Sequence, residues 1–239
     1  KDPSGLNVED GKLTSTVICT SGGYRGGSSS FEPAPTTDCP PLDDPLAERQ
    51  PPPVGGCDYL DRKINSGKVS ISPGVYCGGL KIEAGAQVTA EPGIYVMTLG
   101  KLEVKGKAKL KGDYVSFVFQ DNAATLEFDS DTTIDLSAPK DGPMAGILIY
   151  ENRANVLGRD FVIKSKNAHR LLGTIYLPRG RLRIDAKANV AELSAYTVIV
   201  ARQIEIEEAN LVVNSDYGGT DVPVPEGVGP NSRFVRIDE

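Results

Sequence analysis

Leu80-Lys81-Ile82-Glu83-Ala84-Gly85-Ala86-Gln87-Val88, Leu102-Glu103-Val104-Lys105-Gly106-Lys107-Ala108-Lys109-Leu110 and Leu126-Glu127-Phe128-Asp129-Ser130-Asp131-Thr132-Thr133-Ile134 are three versions of one phrase. Each holds an apolar-polar-apolar triplet, a polar link, and an apolar residue six positions after the triplet ends. The interval recurs from Ile184 to Val190 and shortens by one from Ile206 to Leu211. Period-2 alternation is the mark of a half-buried strand, and a link of fixed length between two such strands is the mark of a repeated corner.

Working outward, the alternation continues at Ile94/Val96, Val115/Phe117/Phe119, Ile147/Ile149, Phe161/Ile163, Ile175/Leu177, Leu182/Ile184, Val198/Val200, Ile204/Ile206 and Leu211/Val213. No helical stripe is sustained in this region. With Val75, Ile94, Val115, Ile147, Ile175 and Val198 taken as equivalent, each repeat holds three short strands. The pattern predicts an all-β chain: a right-handed parallel β-helix of about six three-strand coils, because one coil cannot bury its own apolar face and must stack. An antiparallel sandwich would want Asn-Gly or Asp-Gly at its tight turns. Asp10-Gly11 and Asp141-Gly142 fall at none of the steady corners, and the first is expected to make at most a local hairpin.

Stacking brings equal outward positions together. Superposing Leu80, Leu102 and Leu126 pairs Lys81 with Glu103, and superposing Leu182 on Ile204 pairs Arg183 with Glu205. Glu103 beside Glu127 is a like-charge exception.

Cys19, Cys39, Cys57 and Cys77 contain no Cys-x-x-Cys pair, and the chain has 1 His. Two disulfides fit better than a zinc site. Cys57 and Cys77 lie one coil apart, so the repeat pairs them and leaves Cys19 for Cys39. The compartment is then oxidising.

Pro33, Pro35, Pro40, Pro41, Pro45, Pro51, Pro52 and Pro53 exclude helix and central strand from that stretch, and Ser21 to Ser30 is a Gly/Ser loop. Residues 1–56 are therefore expected to be an irregular wrap, pinned by the apolar stretches Leu13 to Ile18 and Leu42 to Leu46. Residues 57–215 form the β-helix and 216–239 a tail. The wrap and the stretch from Asp221 to Pro225 are the candidates for capping its two ends.

A net charge of -6 and a pI near 5.0 argue against nucleic acid. No apolar run is long enough to span a membrane and the first residues, Lys1 to Gly5, lack a signal peptide. The chain is read as a soluble piece whose targeting signal lies upstream. His169 is read as an exposed loop residue. There is no Gly-x-Ser-x-Gly elbow and no phosphate-binding glycine pattern, so no nucleophilic machinery is visible.

The phrase Ser72-Pro73-Gly74-Val75-Tyr76-Cys77-Gly78-Gly79-Leu80 resembles the C-terminal region of the TadG-like proteins of the tight-adherence (Flp-type) pilus-assembly system. Similar phrases follow in order: Glu91 to Val96, Val115 to Phe119, Leu136 to Pro139 with Gly142 to Leu148, Gly173 to Pro178, Tyr196 to Ala201, and Asp221-Val222-Pro223. Upstream, Asp44-Pro45-Leu46 and Gly55-Gly56-Cys57 are also similar, so the likeness covers roughly residues 40–225. The turns here carry more Lys, Arg, Asp and Glu than the Gly/Ser/Asn-rich repeats of that family. The resemblance implies a cell-envelope protein, extracytoplasmic in the periplasm or at the cell surface, attached to the membrane only through an upstream anchor. It also implies pilus-assembly or envelope proteins as partners, no catalytic site and no cofactor.

Two features are weighed against a purely structural role. Lys101, Lys105, Lys107, Lys109 and Lys111 form one candidate basic stripe and Arg179, Arg181 and Arg183 another; either is a solvated strand face or attracts an anionic envelope polymer. Asp129, Asp131 and Asp135 are either turn residues or the carboxylates of a polysaccharide-cleaving or calcium-binding site. The reading adopted is a non-enzymatic structural or interaction module without bound metal, with a polysaccharide-binding or polysaccharide-cleaving β-helix as the alternative.

Overall fold

The computed structural model describes residues 5–40 and 43–229. Pro41 of the proline run, Leu42 of the Leu42 to Leu46 stretch and Lys1 to Ser4 lie outside the described residues. The protein is all-β, a parallel β-solenoid of about nine turns rather than six.

The repeated phrase builds the second and third faces of every turn. Leu80, Leu102 and Leu126 stack in register, as do Val88, Leu110 and Ile134, and Leu182 lies on Ile204. At the corner between these faces Ala84 and Gly85, then Gly106 and Lys107, take positive φ. The Ala86 and Ala108 N–H groups close these corners onto the Glu83 and Lys105 carbonyls at 3.0 and 3.3 Å. A corner so closed has one length, which explains the steady interval.

The first face is buried on both sides, so alternation does not reveal its phase. Val115–Phe119 and Ile147–Glu151 are buried at every position. Outward, Val75, Val96, Val118, Tyr150, Tyr176 and Val200 form one line in register. Val75 and Ile94 are thus not equivalent: Val75 opposes Val96, two residues further on. Inward, Tyr59, Tyr76, Tyr95 and Phe117 stack with ring centroids 4.4, 5.9 and 5.2 Å apart.

The N-terminal segment supplies the additional turns. Leu6–Glu9 pairs in parallel with residues 204–207 and Lys12–Thr14 with Asn210–Val212; Tyr24–Arg25 and Phe31–Glu32 then stack on that turn. The wrap is irregular over most of its length, as expected, and its four short strands add two solenoid turns: turns 1 to 7 begin at Tyr59, Gly74, Gly93, Val115, Ile147, Gly173 and Thr197, turn 8 runs from Leu6 to Thr20 and turn 9 from Tyr24 to Asp38. Asp10, at φ 49°, makes a solenoid corner and no hairpin, since the strands on either side of it pair in parallel with turn 7 and not with each other. The driving force is burial: Leu6, Val8 and Leu13 are all buried over the end of turn 7.

From turn 9 the chain returns along the outside of the first face as a strap. Its ends are covalent: Cys39 is bonded to Cys19 on turn 8 and Cys57 to Cys77 on turn 2, with Cα atoms 6.1 and 5.7 Å apart. Between them Leu46 is buried in an outer apolar cluster with Val75, Val96, Val118, Tyr150 and Tyr176.

The described part of the tail, residues 216–229, lies along the side of the solenoid and caps neither end. Tyr114 Oη donates to Asp221 at 2.8 Å, Tyr196 Oη donates to the Pro223 carbonyl at 2.6 Å, and Val228 joins the outer cluster. The ends are blunted differently. At turn 1, Arg62 sits in register with inward Leu80, and a bulge separates it from Leu60; at turn 9, Tyr24 packs edge-on against Phe31 at 5.2 Å. An inward charge, a bulge and two-residue strands each discourage edge pairing.

The Pro-Gly phrase has a steric cause. Gly93 takes φ 141°, and a Cβ there would run into the Pro73 ring one turn below. Gly93→Ala is expected to lower the unfolding free energy by about 1–3 kcal/mol in a urea titration, since neither the angle nor the space suits a side chain.

Candidate functional site

Three polar arrangements stand out. The first is the outer surface of the second face, where cation meets carboxylate from turn to turn. Lys63 lies 2.7 Å from Glu83, Lys81 3.5 Å from Glu103, and Arg183 3.3 Å from Glu205. Glu103 and Glu127 oppose each other in register, and Lys105 resolves the repulsion by sitting 3.2 Å from one and 3.5 Å from the other. Burial works against the charge on Glu127, but Lys101, at 3.2 Å, and Lys105 outweigh it and hold its carboxyl below the ordinary value.

The two basic stripes are largely neutralised by this ladder. Lys101 and Lys105 are paired as above, Lys111 lies 3.5 Å from Asp135, and Arg181 lies 2.8 Å from Asp160 and 3.4 Å from Glu205. Arg179 Nε donates to the Asn155 carbonyl at 3.0 Å. Among the described residues only Lys107 and Lys109 of the eight candidates have neither an ion pair nor a side-chain hydrogen bond. Nor do the five lysines share a face: the positive-φ corner at Gly106 and Lys107 carries Lys109 and Lys111 onto the third face. Each exposed pair contributes about 0–1 kcal/mol, so the ladder fixes register and cancels the local field more than it stabilises.

The acidic triplet is dispersed among separate partners. Asp129 accepts the Ser130 N–H at 2.9 Å, Asp131 lies 3.4 Å from Lys166, and Asp135 pairs with Arg170 and Lys111. Among the described residues no group of three or more His, Cys, Asp or Glu side chains converges as a metal site. His169 belongs to the strand Asn167–Ile184 rather than to a loop, and its Nδ1 lies 3.0 Å from Glu192 Oε1.

The second arrangement is the anchor of the strap. Arg153 rises from the loop after the turn-5 strand and lies over the Tyr176 and Tyr150 rings, 5.2 and 5.9 Å from their centroids. It donates to Asp44 Oδ2 at 2.6 Å, to the Arg49 carbonyl at 2.7 Å and to the Leu46 carbonyl. Tyr176 Oη donates to the same Asp44 oxygen at 2.6 Å, and Tyr150 Oη donates to the Arg49 carbonyl at 3.2 Å. One guanidinium and two phenols thus hold strap residues 44–49 against turns 5 and 6.

Burial pushes the Asp44 carboxyl up, but hydrogen bonds from Tyr176, Arg153 and the Leu46 N–H, with the Arg153 charge, outweigh it and hold it below the ordinary carboxylate value. Burial, reinforced by Asp44, pushes the Tyr176 phenol up. A folded-state value below the unfolded ~3.9 means the anchor stabilises above that pH and fades as pH falls through the lowered value. The near-ultraviolet circular dichroism of the tyrosines is therefore expected to change in a step below about pH 4. In Asp44→Asn that step is expected to vanish; its persistence would assign it to another group.

The third arrangement is a buried ion pair. Glu151, fully buried, lies 2.5 Å from Arg159 Nη2, and its other oxygen accepts the Arg179 and Gly180 N–H groups at 3.0 and 2.7 Å. Arg159 Nη1 donates to the Asp121 and Ala124 carbonyls, both at 2.7 Å. The loop between turn-5 strands is thereby tied to turns 4 and 6.

The anchor and the buried pair carry no motif in the sequence. Asp44-Pro45-Leu46 stood out only through the family likeness, and Arg153, Glu151 and Arg159 lie in stretches without repeat spacing. Comparisons with protein-family models, with curated proteins and with solved structures found no match.

Proposed function

We propose that the protein is a non-catalytic structural module of an envelope-anchored pilus-assembly protein of the TadG-like kind, working outside the cytoplasm. The observation that carries this reading is the strap. It is bonded at one end to turn 8 and at the other to turn 2, so the stack is tied along its length by covalent chain. Nine turns at ~4.8 Å per step make a rod about 40 Å long, and its charged groups are spent mostly on one another. Such a rod is suited to holding partners at a fixed separation.

Two disulfides support an oxidising compartment, and among the described residues no helix is long and apolar enough to cross a membrane. The pilus context is inferred from the resemblance of phrases such as Ser72 to Leu80 to the TadG-like family. The test is to delete the coding segment for residues 57–215 in the source cell, leave any upstream anchor intact, and count surface pili by electron microscopy. Loss of pili is the expected result; normal pili would overturn the assembly role and favour envelope-polymer binding, with Lys107 and Lys109 as the next positions to change.

A further inference from the structure

The outward side of the third face changes character along the rod. Its strands on turns 1 to 3 are Lys68–Ile71, Gln87–Ala90 and Lys109–Gly112, stacked in parallel register. Lys68, Gln87 and Lys109 form one outward column, and Ser70, Thr89 and Lys111 the other. All six are exposed, and none is a carboxylate. On the second face, by contrast, a cation on one turn meets a carboxylate on the next, as Lys63 meets Glu83 and Lys81 meets Glu103.

The carboxylates that border this lattice are engaged elsewhere. Asp135 on turn 4 is shared by Arg170 and Lys111, Asp113 lies 2.7 Å from Arg170, and Glu91 accepts the Ser72 hydroxyl at 2.9 Å. Lys68 and Lys109 flank Gln87, two turns or about 10 Å apart, and Lys107 stands at the adjoining corner. Among the described residues Lys68, Lys107 and Lys109 have no ion pair, and the Ser70, Gln87 and Thr89 side chains make no hydrogen bond.

We propose that this face binds an acidic polysaccharide, a chain of uronic acid residues lying along the rod with its carboxylates on Lys68 and Lys109 and its hydroxyls on Ser70, Gln87 and Thr89. The charge asks for a polyanion, because cations about 10 Å apart with no carboxylate between them set up a local positive field on a chain of net charge -6. The donors choose its class. An ammonium offers three N–H donors, while hydroxyls and an amide both donate and accept, so the lattice suits a ligand that carries carboxylates and hydroxyls at short intervals. A single-stranded nucleic acid asks for aromatic side chains under its bases, and none of the six outward positions is aromatic. A peptide strand asks for a free sheet edge, whereas the strands of turns 2 and 3 are paired on both sides. The surface is independent of the pilus reading, since it rests on the side chains of turns 1 to 3 alone.

The test is fluorescence anisotropy with a fluorescein-labelled hexagalacturonate, its fully methyl-esterified form and a hexaglutamate peptide carrying the same label. Saturable binding of the first is expected, at least ~fivefold weaker when salt rises from about 50 to about 200 mM. The ester keeps the hydroxyls without the charge and the peptide the charge without the hydroxyls, so each is expected to bind at least ~tenfold more weakly. Lys68→Gln/Lys109→Gln removes two exposed cations that have no partner, so an unchanged melting curve and binding weakened about tenfold are expected. Lys63→Gln/Lys81→Gln takes the same charge from the second face and is expected to leave binding within about twofold. Equal loss in the two double variants would reduce the effect to net charge, equal binding of the ester or the peptide would remove the uronate assignment, and absence of saturable, salt-sensitive binding would remove the site; each overturns the proposal.

Discussion

Glu151→Ala is expected to lower the unfolding free energy by about 3–5 kcal/mol, a fall of roughly 6–20 °C in Tm. The loss is large because the substitution strands Arg159, 8% exposed, and uncovers the Arg179 and Gly180 N–H groups, all inside the solenoid wall. Removing both charges is a different matter. In Glu151→Leu/Arg159→Leu the desolvation cost of the pair disappears with its attraction, so the double variant is expected to be clearly more stable than Glu151→Ala. Thermal melts of the single and double variants check this; a single variant within about 1 kcal/mol of the parent would show the network to be dispensable.

Opening the strap is the second large effect. Each disulfide closes a loop of sequence separation 20, so Cys57→Ser/Cys77→Ser and Cys19→Ser/Cys39→Ser are each expected to cost about 3 kcal/mol in the chain-entropy account. Their consequences differ in place. Loss of the Cys57 bond frees the strap at turns 1 and 2, while loss of the Cys19 bond frees turns 8 and 9 from each other on the first face. Hydrogen exchange checks this, with faster exchange expected around residues 59–64 in the first variant and around residues 17–20 and 36–39 in the second. Uniform exchange in both would mean that the strap does not hold the ends separately.

The sequence exposes the second and third faces because two conditions hold there together. One side of each strand is wet, so alternation sets the phase, and the closed corner has one length, so Ile82 to Val88 and Phe128 to Ile134 align without a gap. The first face fails the first condition. Strap and tail cover its outer side, so outward Val118 is as fully buried as inward Phe117, and the equivalence of Val75 with Ile94 slips by two residues.

The N-terminal turns were legible in part. Val8 to Leu13 repeats the interval of Ile206 to Leu211, with Glu9-Asp10-Gly11-Lys12 in the place of Glu207-Glu208-Ala209-Asn210. The signal is obscured because these residues stack on the far end of the chain, whereas the Gly/Ser loop and proline run beside them are local. Disulfide pairing was legible from the coil spacing. The strap anchor was not, since it arises where segments distant in sequence meet across the solenoid.

The central claim is that the N-terminal segment completes the C-terminal end of the solenoid. Asn7 and Glu205 are opposite each other in parallel register, a separation of about 4.8 Å that a disulfide spans. Lys81 occupies the matching outward position on turn 2. Non-reducing peptide mass mapping of Asn7→Cys/Glu205→Cys is expected to show a third disulfide, between positions 7 and 205, and Asn7→Cys/Lys81→Cys is expected to show none. A bond to position 81, or no bond in either variant, would contradict the account.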